Sequence, residues 1–181
     1  MAYIIGQIFG LLTIVCSLIL PFMKKKWQLL STNIAINGLV ILNLVLIGQF
    51  GSGCYLCMVA IVQSGLALLR TKSDKQVGIL ETILFTIAYV GFGFFGIITA
   101  PGFVPEINYR NLLELLPICG ALSQMICVFV RDEQATRRWI LATSLFWLVY
   151  STAIGSSVAF NDLLSVISTV SALYKYRKKK A

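Results

Sequence analysis

Seven apolar stretches follow one another along the chain, at Tyr3–Met23, Gln28–Gly48, Ser52–Leu69, Val77–Thr99, Leu112–Val130, Arg138–Ile154 and Ser157–Tyr174. Each is close to the ~20 residues a helix needs to cross a bilayer, and each is read as a membrane-spanning helix. The sixth and seventh are parted only by Gly155-Ser156-Ser157. Fused, they would be far too long for one crossing, so two helices and a tight turn are expected. The first stretch has no basic flank before it and no small-residue cleavage pattern after it. It ends in Pro21 and three lysines, which marks a retained helix rather than a signal peptide.

Composition supports this map. Of 181 residues, 58% are hydrophobic and only 12% are charged, against about 25% charged in a typical soluble domain. Mean hydropathy is +0.87. Seven helices use roughly 140 residues, which leaves no room for a separate catalytic domain. Any site must be built from the helices themselves. The absence of histidine removes histidine-ligated metals, haem and Ser-His or Cys-His catalysis from consideration. No cofactor, metal or enzymatic activity is expected.

All but one of the 15 Lys and Arg residues follow the odd-numbered stretches. They are Lys24, Lys25 and Lys26; Arg70, Lys72 and Lys75; Arg131, Arg137 and Arg138; and Lys175, Arg177, Lys178, Lys179 and Lys180. Only Arg110 lies on the other side, near Glu106 and Glu114. Basic loops mark the cytoplasmic face, so the N-terminus is expected outside and the C-terminus in the cytoplasm. A six-span map would place basic clusters outside. The net charge of +8 is then a topology signal and not a nucleic-acid footprint. The bilayer is the expected partner, and the basic tail could in addition hold anionic lipid.

The layout of the first three stretches recurs in the last three. Aligning Gly48 with Gly155 pairs Asn37 with Ser144, Asn43 with Tyr150 and Arg70 with Arg177, and Trp27 and Trp139 each follow a basic turn. A single intervening stretch gives both triplets the same orientation. The expected fold is an all-α integral membrane protein of seven helices, two parallel three-helix repeats (1–75 and 112–181) joined by a linker helix and outer loop (76–111). Parallel repeats of this kind hold substrate near the bilayer midplane between the halves.

The segment CSLILPFMKKKWQLLSTNIAING at 16–38 resembles the proline-centred helix end of the SWEET and PQ-loop transporter superfamily, with Phe22 where that motif carries glutamine. The corresponding place in the second half, Val128-Phe129-Val130-Arg131, has no proline. With LRTKS at 69–73, ELLPICGALS at 114–123, Trp147, Gly155 and the basic tail, the whole chain resembles YgjV-type bacterial inner-membrane proteins, a distant branch of that superfamily. The resemblance implies a SWEET-like three-one-three arrangement in the bacterial inner membrane and a hinge at Pro21.

Ionisable groups inside a membrane are functional candidates by default. Here Glu81, Glu114 and Asp162 fall near the ends of their stretches and are expected at the interface, so an acidic proton relay is not expected. Mid-span polar residues are Asn37, one turn beyond Asn33; Gln63; Gln124; Ser144, with Trp147 and Ser151 on the same face; and Ser165 and Ser168. Amides exchange hydrogen bonds with hydroxyls in both directions, and an indole offers a stacking face. Asn37, Gln63, Gln124, Ser144, Trp147 and Ser168 are therefore the candidate substrate-binding set, although such residues also join membrane helices to one another. Trp27 and Trp139 are expected as interfacial anchors. Cys54-x-x-Cys57 could exchange electrons, but no second outer pair accompanies it. Gly91-x-Gly93-x-x-Gly96 follows no strand and is read as helix packing, not a dinucleotide site. The expected function is facilitated passage of a small neutral, sugar-like solute by alternating access. A thiol-redox protein using Cys54 and Cys57, and a non-transporting scaffold, are the alternatives. The residues specify neither the solute nor the oligomeric state.

Overall fold

A computed structural model of the chain describes residues 1–19, 26–70, 78–129 and 133–180. The described residues form seven α-helices: α1 (Ala2–Ile19), α2 (Lys26–Leu46), α3 (Ser52–Arg70), α4 (Ile79–Thr99), α5 (Tyr109–Phe129), α6 (Glu133–Ala153) and α7 (Val158–Lys180). Each falls on one of the seven apolar stretches, but α6 begins five residues earlier and α7 ends six residues later than the stretches Arg138–Ile154 and Ser157–Tyr174. Pro21, the expected hinge, and most of the basic connections lie outside the described residues.

Local chemistry sets the helix ends. Asn108 caps α5, its Oδ1 accepting the Asn111 N–H at 2.9 Å. α2 and α6 end in the same closure. Gly48 (φ 78°) and Gly155 (φ 69°) sit in the left-handed region, which a β-carbon disfavours. Gln49 N–H then reaches Leu44 O at 2.8 Å and Ser156 N–H reaches Ser151 O at 2.9 Å. Both are Schellman caps, and each turns the chain directly into the next helix.

The helices close into a ring. α1 packs on α2, α2 on α3, α5 on α6 and α6 on α7. Two further contacts, α3 with α5 and α1 with α7, join the ends, and α4 covers the α3–α5 seam. At that seam, glycines allow close approach. A β-carbon on Gly96 would lie 2.5 Å from Ser52 Cα, and one on Gly93 would lie 2.6 Å from the Ile118 side chain. Gly93 and Gly96 therefore pack helices together, as their position within an apolar helix implied.

Polarity is inverted relative to a protein in water. Outward faces are apolar, as in Ile4, Ile8, Leu11 and Val15 of α1, Ile83, Leu84, Ile87 and Phe94 of α4, and Phe160, Leu163 and Ile167 of α7. The buried set includes Thr13, Asn43, Ser52, Glu114, Ser144, Ser151, Ser156 and Asp162. Exposed apolar area on this scale is stable only against an apolar solvent. α1, α3 and α4 are long and apolar enough by composition to cross a membrane. The other helices carry more polar residues, many of them turned inward.

A central cavity sealed at one end

α1, α3, α5 and α7 begin at the same end of the molecule, and polar contacts fasten that end. Glu114 of α5 reaches the first turn of α3, where its Oε2 accepts the Ser52 N–H at 2.7 Å. Ser52 Oγ lies 2.6 Å from both that oxygen and the Glu114 carbonyl. A carboxylate at a helix N-terminus satisfies an orphan N–H and meets the positive end of the helix dipole. Across the ring, Gln7 of α1 caps the start of α7 with a neutral amide. Its Oε1 accepts the Ser157 N–H at 2.7 Å, its carbonyl accepts Ser157 Oγ at 2.7 Å, and its Nε2 donates to Gly155 O at 2.7 Å. Between the two caps, Asn43 donates to Gly6 O at 2.8 Å and accepts from Ser156 Oγ, while fully buried Tyr150 stacks edge-on against Trp147. Pro117, also fully buried, interrupts the hydrogen-bond ladder of α5 in this layer.

Beneath this layer lies a cavity of about 390 Å³. It is lined by Asn33, Ile36, Asn37 and Val40 of α2, Leu56, Cys57, Ala60 and Gln63 of α3, and Tyr89 of α4. Ala121, Gln124 and Met125 of α5, Thr143, Ser144 and Trp147 of α6, and Val158, Asn161, Asp162 and Ser165 of α7 complete it. Asn33 and Gln124, on the side toward the basic ends of the helices, are exposed, whereas Leu56, Cys57, Val158 and Asp162 at the other side are buried. The lining is thus most exposed at Asn33 and Gln124, and buried on the side that borders the caps.

Five of the six expected residues, Asn37, Gln63, Gln124, Ser144 and Trp147, line this one space. Ser168 does not: it is exposed and hydrogen-bonds back to Ser165 O at 2.9 Å. The wall position falls to Ser165, nearly one turn earlier, which shares a 2.8 Å hydrogen bond with Ser144. Asn37 Nδ2 donates to Asn33 O at 2.8 Å, and Asn33 Nδ2 donates to Ser64 Oγ at 2.8 Å. Tyr89 OH donates to Gln63 Oε1 at 2.7 Å. Trp147 lies over Gly120, where a β-carbon would meet the indole at 3.0 Å.

The placement of two carboxyl groups corrects the sequence expectation. Glu114 is 3% exposed and Asp162 is 9% exposed, so both are buried among the helices and not open at the helix ends. Each begins close to a helix end, but each faces inward, toward the caps or the cavity. Asp162 Oδ2 accepts a 2.8 Å hydrogen bond from Ser151 Oγ. Asn161, Thr143 and Tyr89 line the cavity outside the expected set. The Asn161–Asp162 pair together with Ser165, at i+3 and i+4, was the available signal for a polar face on α7. Cys54 and Cys57 are free thiols buried in the packing of α2, α3, α6 and α7, unlike the accessible, electropositive setting of reactive cysteines. Among the described residues no group of three or more Cys, Asp or Glu is placed to hold a metal ion.

A family model for Imp-YgjV, bacterial inner membrane protein, matches residues 4–180. The chain belongs to this family. It is therefore a protein of the bacterial inner membrane, in keeping with its apolar outer surface. No curated protein and no solved structure matches the chain.

Proposed function

We propose that the chain is a carrier, not an enzyme, and that it moves a small polar solute across the inner membrane by alternating access. In this reading all seven helices cross the bilayer, with α1–α3 and α5–α7 as two parallel units joined by α4, the arrangement that the SWEET and PQ-loop resemblance implies. Several features support the two units. α2 and α6 share the same glycine closure, and helix contacts within one triplet repeat in the other. The caps cross symmetrically, with the first helix of each unit fastening the third helix of the other.

The observation that carries the transport reading is the cavity itself. A void of about 390 Å³ lies within the range of small-molecule sites, roughly 300–1,000 Å³. It is walled by amides, hydroxyls and an indole, exposed at one end and buried at the other. A scaffold without a transport role has no reason to keep such a space, since close packing is the default of protein interiors. The basic end faces the cytoplasm by the distribution of Lys and Arg, so the conformation is inward-facing. The opposite gate is the layer of Glu114, Ser52, Gln7, Ser157, Asn43 and Tyr150. Outward opening separates the crossed caps.

The test is uptake into vesicles carrying the purified protein, screened over sugars, amines, amino acids and small organic acids. The expected result is saturable uptake of a solute class that falls in Asn37→Ala and Trp147→Ala. Uptake no greater than in empty vesicles across the screen would overturn the proposal.

A further inference from the structure

Among the described residues, Asp162 is the only carboxylate in the cavity wall, and no Lys or Arg accompanies it there. It is 9% exposed. Its Oδ2 is held by Ser151, while Oδ1 has no hydrogen-bond partner among the described residues and is not sealed away from the void. The groups around it from the neighbouring helices are Ser151 of α6, Cys57 of α3 and Tyr89 of α4 across the space, and Glu114 of α5 is engaged in its own cap. None of these supplies a positive charge. A carboxylate inside a membrane protein is costly unless it meets a compensating partner, and the open side of this one is the solute space.

We propose that Asp162 is the subsite for a positively charged group on the solute, and that the cavity takes small onium compounds, such as primary amines bearing hydroxyl or amide groups. This rests on the transport reading and narrows its sugar-like solute to one carrying a cation. The ammonium donates to Oδ1 of Asp162. Ser151 fixes the carboxyl group through Oδ2, and the amides of Asn37, Asn161 and Gln124 take the polar remainder. Trp147 and Tyr89 add aromatic faces, which attract cations. A charge-assisted hydrogen bond in a low-dielectric site is about twice as strong as a neutral one, so an amine should outcompete its hydroxyl analogue by about tenfold or more.

The experiment uses matched probes differing by one charge, glucosamine against glucose and ethanolamine against ethylene glycol. Binding is read from Trp147 fluorescence in full-length protein carrying Trp27→Phe and Trp139→Phe, and uptake is read in vesicles. The expected result is tighter binding of the amine in at least one pair, with the preference collapsing in Asp162→Asn and returning in Asp162→Glu. The inference is overturned if neither amine binds better than its neutral partner, or if Asp162→Asn keeps the preference in a protein of unchanged helicity. Selective binding of an amine without uptake would retire the transport reading while the subsite stands. Uptake of neutral probes without amine preference would do the reverse.

Discussion

Replacing Glu114 with alanine removes the fastening between α5 and the start of α3. The carboxylate accepts the Ser52 N–H at 2.7 Å inside a buried layer. Without it, that N–H has no acceptor, at a cost of about 1–3 kcal/mol, and the favourable placement of an anion at a helix N-terminus is lost, about 1 kcal/mol more. Ser52 Oγ keeps the Glu114 carbonyl at 2.6 Å, so the hydroxyl adds little. Tyr150 OH, 3.4 Å from Oε1, lies beyond good hydrogen-bond range and adds little too. The sum is about 2–4 kcal/mol for Glu114→Ala. Glu114→Gln keeps one acceptor oxygen and should cost about 1 kcal/mol. Cys54, fully buried two residues beyond Ser52, is a natural reporter. If opening of this layer governs its access, a small maleimide should label Cys54 roughly 30- to 700-fold faster in Glu114→Ala. Thermal unfolding followed by circular dichroism should fall in parallel. Labelling and unfolding both at parental values in Glu114→Ala would refute the reasoning. Equal damage from Gln and Ala would show that charge, and not the acceptor, holds the gate.

Other outcomes are open to direct measurement. Asn37→Ala should lower stability by less than the roughly 0.6 kcal/mol of a bond between helices, since its bond to Asn33 O stays within α2, while reducing solute affinity, and Trp147→Ala, from a half-buried position, by about 3 kcal/mol; unfolding midpoints and binding isotherms separate the two effects. Cys54→Ala with Cys57→Ala should leave uptake intact and lose stability through packing, and loss of an electron-transfer activity in that variant would instead support the redox alternative. Gly96→Ala, forced against the Ser52 backbone 2.5 Å away, should destabilise by about 1–3 kcal/mol, readable as a lowered unfolding midpoint. A reporter fused after Ala181 should be active only if it is a type that works in the cytoplasm; activity of an exported reporter there would overturn the orientation.

Helix number and limits were legible in the sequence because hydropathy and chain length are one-dimensional quantities. A bilayer demands long apolar runs, and Gly48, Gly155 and the basic clusters punctuate them. The amides and Trp147 could also be selected, since mid-span polar residues in an apolar run need a reason. Direction within the fold was harder to read. Ser168 and Ser165 are three residues apart in one helix, and only the position of α6 decides that Ser165 meets Ser144 while Ser168 turns away. Glu114 and Asp162 show the same division most clearly. Their closeness to helix ends suggested water, yet burial depends on which neighbour lies opposite. The start of α3 receives Glu114, and the wall of the cavity receives Asp162. The sequence by itself determined seven helices, because long, mostly apolar runs follow from the cost of placing polar groups in lipid. The tertiary structure alone decided which carboxyl groups entered the interior and what they face, because that depends on contacts between helices distant in the chain.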